Sequence, residues 1–313
     1  MREIRVLEPG FLTSIQDIGR FRFAHLGVSA SGAADSFSLR IGNLLVGNTE
    51  DAAGLEMTLT GGLYEFDKPC SVAITGSHFS PRLDSSEAPM WRAFNVAAGQ
   101  RLKIGATQEG ARCYLCVQGG FDLPLTLGSY STHMMTSLGG CSGRALKKGD
   151  VLSVHTKAHA IVSALSGDFS SWYQRDVLRV TAGLQEDFFS KEEIELFYSS
   201  FFEVSEDSNR MGLRLLGPQL KHVAGSEILT EGAPLGAVQV PQSGKPIILF
   251  VEHQTTGGYP KIANIVSADM HRVGQLRPRE SFGFRKVDFD EARLAFFERE
   301  RFIASLRDQV HKR

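Results

Sequence analysis

The spacing of glycines along the chain is the feature that most restricts its fold. Glycine accounts for 32 of the 313 residues, which is above the usual share of about 7%. Most of these glycines separate short apolar runs, a pattern typical of strands joined by tight turns. The sequence therefore predicts a mainly β protein with a few helices, built from barrels or sandwiches.

Nine stretches have the composition of strands, because they are short, apolar and bounded by Gly or Pro. They are REIRVLE, SVAIT, RLKIG, CYLCVQ, VLSVH, VLRVTA, ILTE, GAVQVP and KPIILFVE.

Three helices are predicted from caps and apolar periodicity. Asp35 is an N-cap residue type for a helix that ends near Gly47. Ser190 and Glu193 have the spacing of a capping box. A third helix, in DEARLAFFERERFIASLRDQV, carries an apolar stripe that Arg299 interrupts, and we expect it to dock on its own barrel or on a partner. The stripe consists of Ala292, Phe296, Ile303, Leu306 and Val310.

The length predicts two domains, because 313 residues exceed the size at which a single core usually keeps growing. The polar, small-residue segment at 163–176, SALSGDFSSWYQRD, is the best place to divide the chain. The prediction is an N-terminal β-rich domain at 1–170, a C-terminal β-barrel domain at 171–287 and a C-terminal helix at 288–313.

The charge balance argues against two classes of partner. With 34 Lys and Arg against 35 Asp and Glu, no field of one sign attracts nucleic acid or an anionic membrane, so small molecules or proteins are the expected partners. The start, MREIRVLEPG, lacks the apolar core of a signal peptide, and no apolar run is long enough to span a membrane. We expect a cytoplasmic protein.

The four cysteines are predicted to be buried and reduced. Cys113 and Cys116 form a C-x-x-C, but they lie in a strand pattern that points them to opposite faces, so they cannot chelate one ion together. Cys70 and Cys141 stand alone, which does not make a disulfide framework.

Most standard chemical motifs are absent from the sequence. PQSGKP lacks the P-loop pattern, the Gly-Gly turns do not form a dinucleotide fingerprint, and there is no G-x-S-x-G elbow and no MKM biotin-attachment sequence. His155 and His159 would chelate a metal only on a helix, whereas their segment has the pattern of a strand leaving a turn. No metal site and no biotin on this chain are predicted.

Four dense polar-glycine blocks remain, and together they carry a family resemblance. They are TSIQDIGRFRFAHLGVSASGAAD, LGSYSTHMMTSLGG, SNRMGLRLLG and the region from LTEGAPLGAVQVPQSGKP to EHQTTGGYPKIANIVSAD. In this order they resemble the 5-oxoprolinase C-subunit family, also called KipA or allophanate hydrolase subunit 2, whose relatives form part of the carboxyltransferase domain of urea carboxylase. The most specific pieces are GAVQVP followed by QTTGGYP, GSYSTH, and LLVGN followed by LEMTL.

The resemblance implies a cyclophilin-like β-barrel architecture with two barrel-like domains. It also implies ATP-dependent opening of 5-oxoproline to glutamate, in a complex with a KipI-like B-subunit plus an A-subunit, with ATP bound in the complex, with or without Mg. Three residues depart from the family pattern. Glu252 stands where Asp is more frequent, Tyr130 where Arg is common and Arg279 where Gly is usual.

The block HQTTGGYPK is the first candidate site. Gly257 and Gly258 would allow a nest of backbone N–H groups that faces an anion, and Lys261 would bring a positive charge. The alternative is a tight turn rigidified by Tyr259 and Pro260. Four further residues of the block are predicted to bind substrate or phosphate: Gln254, Thr255, Thr256 and Tyr259.

Arg210 and Arg214 are four residues apart, which on a strand places both on one face beside Asn209. A fork for carboxylate or phosphate and a structural ion pair with a buried acid are the two interpretations. His253 and Asp269 are acid–base candidates.

Two further sets complete the candidate site. Gln16, Asp17 and Arg20 could form an opposite wall or a turn, with a hydroxyl cluster at Ser129, Ser131 and Thr132 for which no activating base is evident. Glu231 and Gln239 flank GAPLG and could meet across a hairpin.

Three functions follow from the resemblance. The first is an enzyme component, active only in complex, that opens a cyclic amide. The second is a KipA-like regulatory protein that binds a KipI-like kinase inhibitor. The third is transfer of a carboxyl group from carboxybiotin to urea or a related amide, with biotin on a separate carrier.

Overall fold

The computed structural model describes residues 1–156 and 169–311 and divides the chain into two compact units. Within the described residues, the first unit comprises 1–20, 31–156 and 302–311, and the second comprises 21–30 and 169–301. Residues 163–168 of the predicted dividing segment, and His159, lie outside the described residues. The division differs from the predicted one because 21–30 groups with the second unit and 288–313 does not form a unit of its own.

The first unit is built on two antiparallel sheets. Their strands are β1 (Arg2–Glu8), β2 (Ser14–Gln16), β3 (Gly54–Thr58), β4 (Leu63–Phe66), β5 (Cys70–Gly76), β6 (Phe79–Leu83), β7 (Ser86–Glu87), β8 (Ala93–Val96), β9 (Arg101–Thr107), β10 (Arg112–Val117) and β11 (Val151–Val154). One sheet has the order β11-β1-β4-β9-β6-β7 and the other the order β2-β3-β10-β5-β8.

Burial in these strands follows their position in the sheets. In β1, Ile4 and Val6 are buried while Glu3 and Arg5 are not, the alternation of a strand with one face on the core. β10 is buried along its whole length because one face lies on the core and the other is covered by the helix at 36–45. The inward residues of both sheets share one hydrophobic core.

Helix α1 (Ser36–Leu45) begins as its sequence predicts. The Asp35 carboxylate accepts a hydrogen bond from the Ser38 backbone N–H at 2.9 Å, which satisfies a donor at the helix N-terminus. Gly47, two residues beyond the end, has a left-handed φ of 72°, the conformation that glycine adopts without steric cost.

The second unit is a closed barrel with strand order β12-β19-β16-β17-β14-β13-β20. Its strands are β12 (Val177–Ala182), β13 (Phe201–Val204), β14 (Gly212–Leu216), β16 (Ala237–Gln239), β17 (Ile247–Leu249), β19 (Lys261–Ile265) and β20 (Ser281–Lys286). A two-stranded ribbon of β15 (Glu231–Gly232) and β18 (Thr256–Gly257) accompanies the barrel.

Three α-helices belong wholly or partly to this unit: α2 (Lys191–Ser199), α3 (Met270–Val273) and α4 (Phe289–His311). Ser190 caps α2 through the Glu193 N–H at 3.3 Å, as the capping-box spacing predicts. Phe197 of α2 stacks on Phe284 of the barrel, with ring centroids 4.5 Å apart. In α4, Arg299 is buried and donates to the Ser267 carbonyl at 2.7 Å, which is why a charge interrupts the apolar stripe.

The prediction of a mainly β fold with few helices and a barrel is confirmed. In the first unit, however, the strands form two sheets. Three predicted strands are shortened to half their length or less, since only Glu231 of ILTE, Ala237–Gln239 of GAVQVP and Ile247–Leu249 of KPIILFVE are in strands. Phe296, predicted to be part of the buried stripe of α4, is instead exposed. No helix in the described part of the chain has the length and apolarity needed to cross a membrane.

Candidate functional site

Lys261 and Gln239 form the centre of a polar cluster in the second unit. They are Cα partners in the β16–β19 ladder, beside a register shift, and cross-strand partners project from the same face of a sheet about 5 Å apart. Both residues are only 2% exposed. A buried lysine is unusual in a protein unless it is paired.

Glu231 supplies the charge that pairs with Lys261. The Lys261 Nζ atom lies 2.6 Å from Glu231 Oε1, an ion-pair contact without the angles of a regular hydrogen bond. The Glu231 side chain is 39% exposed, whereas that of Lys261 is 3% exposed. The carboxylate thus connects the buried ammonium with solvent.

Gln185 holds this pair in place. Its Nε2 donates to Glu231 Oε1 at 2.9 Å, its Oε1 accepts from the Lys261 backbone N–H at 3.3 Å, and its own N–H donates to the Lys261 carbonyl. The loop that carries Gln185 passes so close to β19 that a Cβ on Gly183 would lie 2.0 Å from the Lys261 carbonyl oxygen. Glycine is therefore required there.

Gln254 orients the Gln239 carboxamide. The Gln254 Nε2 donates to Gln239 Oε1 at 3.1 Å. The carboxamide oxygen of Gln239 is therefore used, and its Nε2 is the end that can still donate. That atom is buried and makes no hydrogen bond within the described residues. A Cβ on Gly257 would lie 2.6 Å from it, so the backbone of β18 lies directly against Gln239.

The predicted anion nest at Gly257 and Gly258 is not formed. Gly257 is in β18, where it pairs with Glu231 of β15, and neither glycine has a positive φ. A nest needs alternating right- and left-handed residues, so the backbone here is a ribbon instead. Thr255, Thr256 and Tyr259 lie in or beside this ribbon, and the side chains of Thr256 and Tyr259 are exposed.

The electrostatics of the cluster follow from its contacts. The Lys261 ammonium, and then the Gln185 side chain, lower the pKa of Glu231 below its ordinary value. The His253 Nδ1 is hydrogen-bonded to the Gln254 carbonyl at 2.7 Å. Burial lowers the pKa of His253, so the ring is neutral near pH 7.

The two arginines predicted to share a strand face do not do so. β14 begins at Gly212, after Arg210. The Arg210 Nε lies 2.5 Å from Glu252 Oε1, and the Glu252 side chain is fully buried. Arg214 is exposed. The ion-pair interpretation therefore holds for Arg210, and Asn209 accepts a hydrogen bond from the Met211 backbone N–H.

Asp269, predicted as an acid or base, is held by arginine. Its carboxylate is buried, with Arg179 Nη2 2.5 Å from one oxygen and Arg179 Nε 3.0 Å from the other. Burial raises the pKa of Asp269, but the hydrogen bonds of Arg179 and the charge of Arg272 outweigh it and lower the pKa. The side chain has the surroundings of a structural anion.

A second polar cluster lies within the first unit, around Asp17. Asp17 Oδ1 accepts from the Ser129 hydroxyl at 2.7 Å, the Ser131 hydroxyl at 2.5 Å and the Gly19 N–H at 2.8 Å. Asp17 Oδ2 accepts from the Tyr130 N–H at 2.6 Å. Both hydroxyls therefore donate to one carboxylate that also accepts from two backbone N–H groups.

The neighbours of Asp17 are equally buried. Gln16 Nε2 donates to Ser14 Oγ at 2.9 Å and to the Thr132 carbonyl at 3.0 Å, and Arg20 donates to the Ser131 carbonyl. These contacts tie two distant loops of the first unit together.

Two of the three departures from the family pattern have local explanations. Tyr130 packs its ring on the core of the first unit, and Glu252 neutralises Arg210. Arg279 has a left-handed φ of 67°, a conformation that favours the glycine usual at this position.

Sequence reasoning missed Gln185 and Gly183, and it placed Glu231 only beside Gln239. The available signal was a glycine straight after the strand VLRVTA, which indicates a close approach of backbone. Within the described residues, no three His, Cys, Asp or Glu side chains are grouped to hold a metal ion.

Comparisons with known proteins assign the chain to a family. A family model described as carboxyltransferase domain, subdomain A and B, matches residues 26–286. The 5-oxoprolinase C-subunit of Escherichia coli (strain K12) is 37% identical over 98% of this chain and 99% of that protein. The 5-oxoprolinase C-subunit of Haemophilus influenzae is 36% identical over 92% of this chain and 93% of that protein.

The crystal structure of Kluyveromyces lactis urea amidolyase is similar over 97% of this chain, with a TM-score of 0.91 and 30% identity, but the match covers only 20% of that chain. The matched region is therefore a small part of that larger protein. On these matches, the chain belongs to the carboxyltransferase domain, subdomain A and B, family, together with the 5-oxoprolinase C-subunits.

Proposed function

We propose that the chain is the C-subunit of an ATP-dependent 5-oxoprolinase, which opens 5-oxoproline to glutamate together with an A-subunit plus a KipI-like B-subunit in the cytoplasm. The observation that carries this proposal is the coextensive match to the Escherichia coli 5-oxoprolinase C-subunit, at 98% of this chain and 99% of that one. A chain that matches a subunit from end to end is expected to work as one.

The Lys261 cluster has the chemistry that opening a lactam requires. Negative charge develops on the lactam oxygen as the ring carbonyl is attacked, and buried cationic or amide donors stabilise such charge most strongly where water is excluded. Lys261 and Gln239 are donors of this kind, both 2% exposed. Gln185 fixes the Lys261 backbone and the Glu231 carboxylate together, so the donors are oriented before substrate arrives.

ATP is proposed to bind in the assembled complex. When bound, it would phosphorylate the lactam oxygen and so make the ring carbon more electrophilic. Addition of water would then let the C–N bond break, with a proton going to the ring nitrogen, and a second water would release phosphate to leave the carboxylate. The Gly257–Gly258 segment does not fit a phosphate nest, because neither glycine has a left-handed φ. We therefore assign no phosphate contact to it, and the residues of this chain serve the amide part of the reaction.

A second candidate function is carboxyl transfer from carboxybiotin to urea or a related amide. The family description and the likeness to urea amidolyase favour it. The chain spans a fifth of that structure, so the biotin carrier and the rest of the machinery would be on other chains. A KipA-like regulatory role, in which binding the KipI-like partner is the whole function, is the remaining alternative.

The test is ATP hydrolysis that depends on 5-oxoproline, measured with this chain alone, with the KipI-like partner, and with both partners together. We expect turnover only in the complete mixture of three chains. Dependence on carboxybiotin would favour the second candidate. No ATP hydrolysis in any mixture, although the chains still form a complex, would favour the regulatory role.

The contribution of this chain is tested by Lys261→Met in the complete mixture. Loss of one charged donor in a water-excluded site is expected to lower kcat by about 100-fold or more. Lys245→Met, which removes an exposed lysine of the same unit, is the matched control and should leave turnover unchanged. Equal rates for the two variants would remove Lys261 from the site.

A further inference from the structure

The cluster around Lys261 contains two buried donors whose hydrogen-bonding capacity is not fully used. Among the described residues, Gln239 Nε2 is buried and has no hydrogen-bond acceptor, and the equally buried Lys261 Nζ has the Glu231 carboxylate, 2.6 Å away, on one side. Leaving a buried donor without an acceptor destabilises the folded chain. Two donors with unused capacity on paired strand residues suggest that a ligand supplies the acceptor.

The unused donors are fixed in direction. Gln254 donates to Gln239 Oε1 at 3.1 Å, so the NH2 group of Gln239 is the end that remains available. Lys261 has three N–H donors, and its one ion-pair contact among the described residues is with Glu231 Oε1. Because Gln239 and Lys261 are Cα partners in the ladder, one acceptor atom between their side chains can receive a hydrogen bond from each.

Glu231 provides the complementary acceptor. Its carboxylate is the exposed member of the cluster, at 39%, and it already has Lys261 and Gln185 on Oε1. An ionised carboxylate accepts through both oxygens, so an N–H donor of a ligand can bond to it. The cluster therefore presents two donors at the buried end and an acceptor at the exposed end.

An amide that carries its carbonyl and an N–H on the same side matches this arrangement. A lactam has this geometry because its ring forces the amide bond to be cis, and urea has it because each nitrogen carries a hydrogen on the side of the oxygen. We propose that Gln239 and Lys261 bind the carbonyl oxygen of such an amide while Glu231 accepts its N–H. The proposal deepens the proposed function, since it concerns the same site.

The β15–β18 ribbon covers this position. Glu231 and Gly257 are paired across the ribbon, and Gly257 lies against the Gln239 amide. A ligand reaching both donors must displace the ribbon near Gly257, while the exposed Glu231 carboxylate is the group that it meets first. Binding of the amide therefore moves β18 at Gly257, while Glu231 of β15 stays paired with Lys261.

The probes that test the site are 2-pyrrolidone, urea and N-methyl-2-pyrrolidone, with 5-oxoproline for comparison. Dissociation constants are measured by NMR titration of the full chain, alone and mixed with both partner chains. We expect 2-pyrrolidone and 5-oxoproline to bind, and N-methyl-2-pyrrolidone, which has no N–H, to bind at least about tenfold more weakly. This comparison uses only the unaltered protein.

Two variants locate the binding. Gln239→Met and Lys261→Met keep the side-chain volume but remove the donors, and each should weaken 2-pyrrolidone binding about tenfold or more. Gln219→Met, at a glutamine of the same unit outside the cluster, should leave it unchanged. The inference is overturned if both donor variants bind 2-pyrrolidone as the unaltered chain does, if the N-methyl compound binds equally well, or if no lactam binds in any mixture.

The ligand-binding experiment and the ATP-hydrolysis assay of the proposed function can fail independently of each other. If the binding pattern is as expected but no mixture hydrolyses ATP with 5-oxoproline, the amide site stands and the 5-oxoprolinase assignment falls. If the complete mixture is active but both variants bind 2-pyrrolidone as tightly as the unaltered chain, the 5-oxoprolinase assignment stands and the amide site falls.

Discussion

At the scale of single residues, Asp269 gives the clearest prediction. Its carboxylate is buried, and its two oxygens contact two different nitrogens of the Arg179 guanidinium. Removing one partner of a buried pair leaves the other charge uncompensated and typically costs about 3 kcal/mol or more. We expect Asp269→Asn to lower the free energy of unfolding by about that amount, measured by urea denaturation at pH 7, and the exposed Asp207→Asn to leave it nearly unchanged.

The same residue predicts a pH dependence. The folded-state pKa of Asp269 is lowered, so its contribution to stability is complete above the ordinary aspartate pKa of about 3.9 and is lost as the pH falls through the lower folded-state pKa. The unaltered chain should lose stability in this acidic range by more than Asp269→Asn does. If the unfolding free energies of the two proteins fell in parallel as the pH decreased, the Asp269 carboxylate would not be held by Arg179.

At the scale of elements, the ribbon of β15 and β18 comes into close contact with the Gln239 side chain at Gly257. A Cβ on Gly257 would lie 2.6 Å from the Gln239 Nε2, whereas a Cβ on Gly232 of the paired strand would meet nothing within 4 Å. We expect Gly257→Ala to reduce turnover, since it displaces the end of the Gln239 side chain, and to lower the unfolding free energy by only about 1 kcal/mol, since that end can move. The measurements are urea denaturation and the complete-mixture assay.

Gly232→Ala is the matched control, because it makes the same change in the same ribbon. With open space around the new methyl group, its effect on stability should be within about 0.5 kcal/mol. Similar losses in the two variants would indicate that the ribbon, rather than the contact with Gln239, is sensitive to alanine.

At the scale of the whole molecule, the cysteines report on how tightly the first unit is closed. Burial raises the pKa of the Cys70 thiol to about 12 and the pKa values of Cys113 and Cys116 above their usual range, while Cys141 is half-buried. Because the thiolate is the reactive form, the native chain at pH 8 should have at most one thiol, Cys141, that reacts readily with a disulfide reagent.

Denaturation without reductant should then expose four thiols, since all four cysteines are free. Cys141→Ser should abolish the reaction of the native chain. Rapid reaction of two or more thiols in the native state would contradict the closed core, and fewer than four after denaturation would mean that a disulfide had formed.

Local features could be predicted from the sequence because their causes are local. The caps at Asp35 and Ser190 depend on residues three positions away, and the strand pattern of β1 and β12 depends on alternation within one segment. The spacing of the glycines predicted a mainly β fold of barrels or sandwiches, and the resemblance of the polar-glycine blocks indicated the family and its barrel architecture.

The sequence by itself therefore determined the class of fold, the main strands and the residues worth considering for a site. Only the tertiary structure decided which of them meet: closure of the barrel brings Gln185 to Lys261, 76 positions away, and gives Arg210 the buried partner Glu252. The physical reason is that a cap or an alternation is set by neighbours along the chain, whereas a pairing across strands is set by register and closure.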